Sequence, residues 1–244
     1  MRQTIAFWSI FRKDVKNYYL KPPNISWGII FPLAWTLMFF IRSGGGFDLR
    51  EILPGVMAMS ILFGTTSLLS VTVTFEKKGR SFERLLLSPI SLKGLMLAKT
   101  SGAILFGIVN AFVPVIMAFF IIDLGDMVWL PLIAGIVLTA IVSTFMGLFI
   151  AVAVAEVFEA QTFSNFFRFP MVFLCGLFFP IDRLPVFLRP FSYILPLTYG
   201  GDVIHGAINN SACLPLWLSI TVLSVFCVGL FLLSIRNINK KWML

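Results

Sequence analysis

An all-α fold that crosses a membrane several times is what this sequence predicts, and three observations carry that expectation. The 244-residue chain is 59% hydrophobic and 12% charged, with a mean hydropathy of +0.96; a soluble domain has about 45–50% apolar and about 25% charged residues. The apolar residues fall into stretches of the roughly 17–25 residues that a bilayer requires of a helix. The basic residues cluster at the ends of those stretches, the distribution that sets orientation in a membrane. The net charge of +8 therefore serves insertion and contact with anionic lipid headgroups. Nucleic-acid binding is excluded, because no soluble segment interleaves Arg with exposed aromatics.

The first element is an in-plane helix over residues 4 to 21, inside a cytoplasmic interfacial segment 1–23. Trp8, Phe11, Val15, Tyr18 and Tyr19 recur at helical spacing opposite Arg12, Lys13, Asp14, Lys16 and Asn17, the composition of a helix lying among headgroups. Pro22 and Pro23 end it. This charged start is unlike the apolar core of a cleaved signal peptide.

Six spans follow, at about 24–41, 54–75, 95–122, 129–155, 162–179 and 214–235. Pro32 and Pro114 lie inside spans and predict kinks, since proline leaves a carbonyl one turn back without its partner. Fifteen of the nineteen Lys and Arg fall on one side of this layout, and Arg42, Arg50, Arg183 and Arg189 on the other. The positive-inside rule then puts both termini in the cytoplasm of a multi-pass plasma-membrane protein. Gly44-Gly45-Gly46 reads as a flexible outer turn, since neither a strand nor a following Lys-Ser/Thr makes it a phosphate loop.

The loop between the second and third spans is the most informative stretch. From Glu76 to Lys99 it holds six of the nineteen basic residues: Lys77, Lys78, Arg80, Arg84, Lys93 and Lys99. Phe82, Leu85, Leu86 and Pro89 recur at three- and four-residue steps, an apolar stripe on a short helix flanked by Glu83 and Arg84. Gly79 is placed to break the preceding helix and Pro89 to stop the new one. Such a helix either lies on the lipid headgroups or enters a groove on a cytoplasmic partner, with Phe82, Glu83, Leu85 and Leu86 as its inserted face.

The second informative stretch joins the fifth and sixth spans. Phe187, Leu188, Phe191, Ile194 and Leu195 are apolar, yet prolines 180, 185, 190 and 196 cut residues 180–213 into pieces too short to span. That pattern predicts short outer helices that dip into the membrane edge and return, covered by protein or lining a wet cavity. Of the cysteines, Cys175 and Cys227 lie in apolar runs and only Cys213 could face the outer compartment, so no intrachain disulfide and no metal-ligand spacing is expected.

Taken together, the two stretches resemble the ABC-2 type permeases, the membrane subunits of exporters for drugs, nodulation factors and cell-surface polysaccharides. The resemblance rests on Glu76, Gly79, Glu83, Leu85, Leu86, Pro89 and Lys99 in the loop, and on Gly176, Pro180, Leu184, Pro185, Leu195, Pro196, Tyr199 and Asp202 in the outer segment. Two positions depart from it: Arg80 stands where relatives often carry Thr, and His205 where many carry Arg. The resemblance implies one transmembrane domain over residues 1–244, with residues 76–94 as a coupling loop. It implies two copies, or a close relative, around a central route. It further implies no cofactor in this chain, with ATP and Mg held by a separate cytoplasmic ATPase subunit; no G-x-x-x-x-G-K-[S/T] motif occurs here. Export is likewise an implication of the resemblance.

Two other readings stay open. An integral membrane enzyme acting on lipids would need clustered His, Asp, Glu, Ser or Cys, whereas the chain has one His, and Glu156 and Glu159 share a helix face as ordinary solvated acids. An ATPase-independent assembly factor has no internal feature against it. Arg168, about two turns into the fifth span with Asn165 on the same side, either snorkels to the headgroups or faces the central route to meet an anionic group.

Overall fold

The computed structural model describes residues 2–19, 21–22, 26–42, 49–86 and 90–242, and their regular structure is all helical. Helix α1 (Arg2–Asp14) continues into a wider π-helical turn at Val15–Tyr19. A second wide turn, Ser26–Ile30, leads into α2 (Phe31–Arg42). Pro32 sits at the start of α2, where the missing N–H and the ring oppose regular helical bonding to the preceding turn. The Gly44-Gly45-Gly46 run and Pro23 lie outside the described residues.

The long helices are α3 (Leu49–Lys78), α5 (Leu92–Phe119), α6 (Trp129–Ala153) and α10 (Leu216–Trp242). Among the described residues these four are long and apolar enough to cross a membrane. The first and fifth expected spans are helical as well, but α2 has 12 residues and the 18-residue α7 (Val157–Leu174) carries Glu159, Gln161, Asn165 and Arg168. Shorter α-helices among the described residues are α4 (Ser81–Leu86), α8 (Arg189–Ile194) and α9 (Pro196–Asn209).

The bundle is built around α3, which packs against α5, α6, α7 and α9 and is buried over 94% of its apolar window. Small residues permit this crowding, since in lipid helices associate by close backbone approach. Gly55, Ala58, Ser60, Gly64, Thr65, Thr66 and Ser67 line α3. A Cβ on Gly147 of α6 would lie 2.5 Å from the Thr66 carbonyl oxygen, so the two backbones touch there. Thr66 Oγ1 donates to Ser143 O at 3.2 Å, and the Ser70 and Ser164 hydroxyls meet at 2.8 Å, bonding α3 to α6 and α7.

Helices α3, α6 and α10 run in one direction, and α5 and α7 run in the other. At one end Lys78 meets Glu156, joining the end of α3 to the start of α7. At the other, Arg50 donates to Ile208 O and Val128 N–H to Ala207 O, joining the starts of α3 and α6 to the end of α9. Outward-facing side chains are mostly large and apolar, among them Leu105, Val109, Ile116, Val225, Val228 and Leu232, as a helix set in hydrocarbon requires.

Candidate functional site

The segment after α3 forms the short helix the sequence predicts. Gly79 N–H donates to Phe75 O at 3.0 Å and Arg80 N–H to Lys77 O at 3.1 Å, closing α3. Arg80, not Gly79, takes the left-handed turn, with φ 54°, a conformation that crowds the Cβ of an L-residue. Ser81 and Arg84 are exposed and Leu85 is half-buried, whereas Phe82 is only 2% exposed and packs with Ile10, Leu69, Val73, Leu95 and Leu148. The expectation that Phe82 enters a partner's groove is therefore corrected. An aromatic side chain of this size finds apolar cover in its own bundle, and it anchors α4. The backbone of Glu83 and Leu86 lies in α4, and Pro89 falls outside the described residues.

Beneath α4 lies a group of charges that the sequence leaves dispersed. Lys13 Nζ is 3.0 Å from Asp14 Oδ1 and 2.6 Å from Glu76 Oε1. Lys99 Nζ is 3.2 Å from Asp14 Oδ2 and pairs also with Glu76 Oε2. Asp14, Glu76 and Lys99 are buried, with Lys13 at the lip. Burial opposes the charge on Lys13, but the hydrogen bond to Glu76 and the pull of Asp14 and Glu76 outweigh it and hold its pKa above the ordinary lysine range. Tyr19 donates from its hydroxyl to Lys99 O at 2.9 Å, and Gly102 leaves room for its ring. Lys78 and Glu156 meet at 2.5 Å, and the Glu159 carboxylate accepts from Ala155 and Glu156 N–H, capping α7. Glu156 and Glu159 thus have structural partners.

One signal marked this group in the sequence: Lys99 lies inside the third expected span, where an ionisable residue calls for a partner. Glu76, one step past the second span, is that partner, and Asp14 and Lys13 belong to the polar face of α1. The pairing spans up to 85 positions, which periodicity does not reach.

At the opposite end the predicted motif residues hold the connection together. Pro180 precedes a single 3-10 turn at Ile181–Arg183, and Pro196 opens α9. Pro185 lies between that turn and α8, and its carbonyl accepts from Leu188 N–H at 2.8 Å. Tyr199 donates to Tyr193 O at 2.8 Å. Asp202 accepts from Cys213 N–H at 2.7 Å, Leu214 N–H at 3.3 Å and the Ser219 hydroxyl at 3.2 Å, holding the turn that leads into α10. His205 Nδ1 is 2.9 Å from Ser211 O, with Nε2 3.4 Å from Glu51. The segment goes deeper than an outer loop: Leu197, Val203, Ile204, Ala207 and Ile208 of α9 are buried, against α6, α10 and α3. Cys175 is buried, Cys227 half-buried and Cys213 exposed, all three as free thiols.

Arg168 neither snorkels nor offers an open face to an anion. It is fully buried between α3 and α7, donating to Ser164 O at 3.2 Å, Phe63 O at 3.3 Å and Asn165 Oδ1 at 2.5 Å, with its guanidinium 4.5 Å from the Phe63 ring centre. Three carbonyl-type acceptors and an aromatic face give the cation enough compensation inside the protein.

Comparisons with known proteins agree with this architecture. A family model described as ABC-2 type transporter matches residues 5–209. The chain is 23% identical to the inner membrane transport permease YadH of Escherichia coli K12, over 97% of this chain and 95% of that one. It is 28% identical to the ABC transporter permease protein NatB of Bacillus subtilis, over 80% of this chain and 54% of the relative. A shorter match, 34% identical over 74 residues, covers 30% of this chain and 29% of nodulation protein J of Rhizobium leguminosarum. With a helical bundle of membrane-length spans and a family match over nearly its whole length, the chain belongs to the ABC-2 type transporter family of membrane permeases.

Proposed function

We propose that this chain is the transmembrane subunit of an ATP-binding-cassette exporter. Two copies enclose the route, and a separate cytoplasmic ATPase drives it, holding the ATP and Mg. The chain crosses the membrane six times, with α2 and α7 as the first and fifth spans and both termini cytoplasmic. Residues 180–195 then form an outer re-entrant cap that leads into α9.

The observation that carries this reading is α4. It is a short helix rooted on the central span, anchored by Phe82 and presenting Ser81 and Arg84 outward at the end where basic residues concentrate. The helix-in-groove mode suits such an element, and a rigid-body closure of the ATPase would reach the bundle through it. Two relatives are named as an ABC transporter permease and a nodulation protein, which supports coupling to an ATPase and leaves the substrate class open.

The test is co-expression with the ATPase of a cognate ABC system, followed by purification in detergent and reconstitution in vesicles. The expected result is a stable complex whose ATP hydrolysis is lost together with assembly when Arg84 and Leu85 are changed to Asp. Complex formation unaffected by that double change would leave α4 as a plain interfacial helix.

A further inference from the structure

The four charges beneath α4 form a closed ring of alternating sign. Each carboxylate gives one oxygen to each lysine: Asp14 Oδ1 to Lys13 and Oδ2 to Lys99, Glu76 Oε1 to Lys13 and Oε2 to Lys99. Two of the links, Lys13 to Glu76 and Lys99 to Asp14, are hydrogen bonds, and the other two are charge contacts. The ring is neutral as a whole.

Its members come from three elements. Lys13 and Asp14 are the last two residues of α1, Glu76 stands in the last turn of α3, and Lys99 lies about two turns into α5. Glu76 is four positions before Arg80, so the ring is set directly under the α3–α4 turn. Phe82 of α4 belongs to the apolar cluster that also holds Ile10 of α1, Val73 of α3 and Leu95 and Met96 of α5.

Net stability is a poor reason for such an arrangement. Replacing buried ion pairs by apolar residues of similar size is often neutral or stabilising, whereas removing one partner strands a charge. An alternating ring of four is satisfied in one relative placement of its three helices. A shift of any one breaks two links at once.

We propose that the Lys13–Asp14–Glu76–Lys99 ring is a transmission joint. It makes α1, the root of α4 and the start of α5 one rigid body, so that displacement of α4 is delivered to α1 and α5 instead of being absorbed at the Arg80 turn. The inference rests on the coupling reading of α4 for its purpose; its mechanical content is testable without any ATPase.

Spin labels at Ser9→Cys on α1 and Arg84→Cys on α4, in a Cys213→Ser background, report the distance between the two helices in vesicles. With the ring intact a single narrow distance distribution is expected. The charge-balanced pair Glu76→Gln with Lys99→Met should keep the melting temperature near that of the intact ring, broaden the distribution, and lower transport by about tenfold in the ATPase complex. Glu76→Asp keeps the charge, withdraws the carboxylate by one methylene and should broaden the distribution less; it serves if the pair does not fold. A narrow distribution in the altered ring, or transport at the unaltered rate despite a broad one, overturns the joint. Should no ATPase engage the unaltered chain, the proposed function falls, while the label distances still decide whether the ring makes one body of the three helices.

Discussion

Arg168 shows how far a single residue can be read. Its place inside an apolar run is plain from sequence, and so is the expense of burying a cation there. Asn165 is legible as its neighbour one turn back, but Phe63 is not, because it lies 105 positions away. The guanidinium ties α7 to α3 through Phe63, whose carbonyl accepts and whose ring it faces, while Ser164 O and Asn165 Oδ1 on its own helix take up the remaining directions. A lysine has one nitrogen at the end of a flexible stem and cannot reproduce that fork. Arg168→Lys is therefore expected to lower stability by about 1–3 kcal/mol for an acceptor left unpaired in the interior. Thermal melting of the purified protein in detergent checks this; an unchanged melting temperature would remove the pinning role.

At the scale of elements, the apolar stripe on α4 predicted the helix, and the helix exists at Ser81–Leu86. Periodicity gives a face and leaves open which neighbour the face meets, and Phe82 turns inward to its own bundle. The outer segment shows the same limit. Proline spacing predicted short helices, and the buried α9 appears because Gly200 and Gly201 allow close approach to Thr139 and Leu177, a contact between distant stretches. The sequence predicts the break between α3 and α4 at Gly79, while the left-handed residue is its neighbour Arg80. A glycine adopts that conformation without the crowding an arginine feels. Relief of about 1–2 kcal/mol of left-handed crowding outweighs the roughly 0.5–1 kcal/mol of chain entropy that a glycine costs, so Arg80→Gly is expected to stabilise the protein slightly, read as a rise in melting temperature. A fall would show that the Arg80 side chain stabilises the turn by more than its backbone costs.

For the whole molecule, composition and charge distribution made the membrane class and the helical fold legible, since both follow from bulk transfer of apolar surface. Of the charge ring only Lys99 is marked in the sequence, because the ring itself is assembled by tertiary packing of three helices. The same packing predicts an accessibility pattern. Val186 and Phe187 are 75% and 71% exposed, whereas Ile204 and Ala207 are at 0% and 1%. Single cysteines at these positions, in a Cys213→Ser background, should divide sharply with a membrane-impermeant thiol reagent added to intact cells. Val186→Cys and Phe187→Cys react, and Ile204→Cys and Ala207→Cys do not. Reaction at Val186→Cys only after the cells are opened would invert the proposed orientation.

The central position of α3 bears on how the protein is made. Synthesis delivers α3 before α5, α6, α7, α9 and α10, so the middle of the bundle reaches the bilayer ahead of most of its walls. Its hydropathy of 1.8 is the lowest of the four long helices, and its hydroxyl-rich surface would be poorly suited to bare lipid. Thr65 Oγ1 donates to Ile61 O at 2.8 Å and Ser70 Oγ to Ser67 O at 3.2 Å. Hydroxyls folded back on their own helix in this way need no neighbour. The nascent helix can therefore enter hydrocarbon with these two hydroxyls occupied, then share Ser70 with Ser164 when α7 arrives.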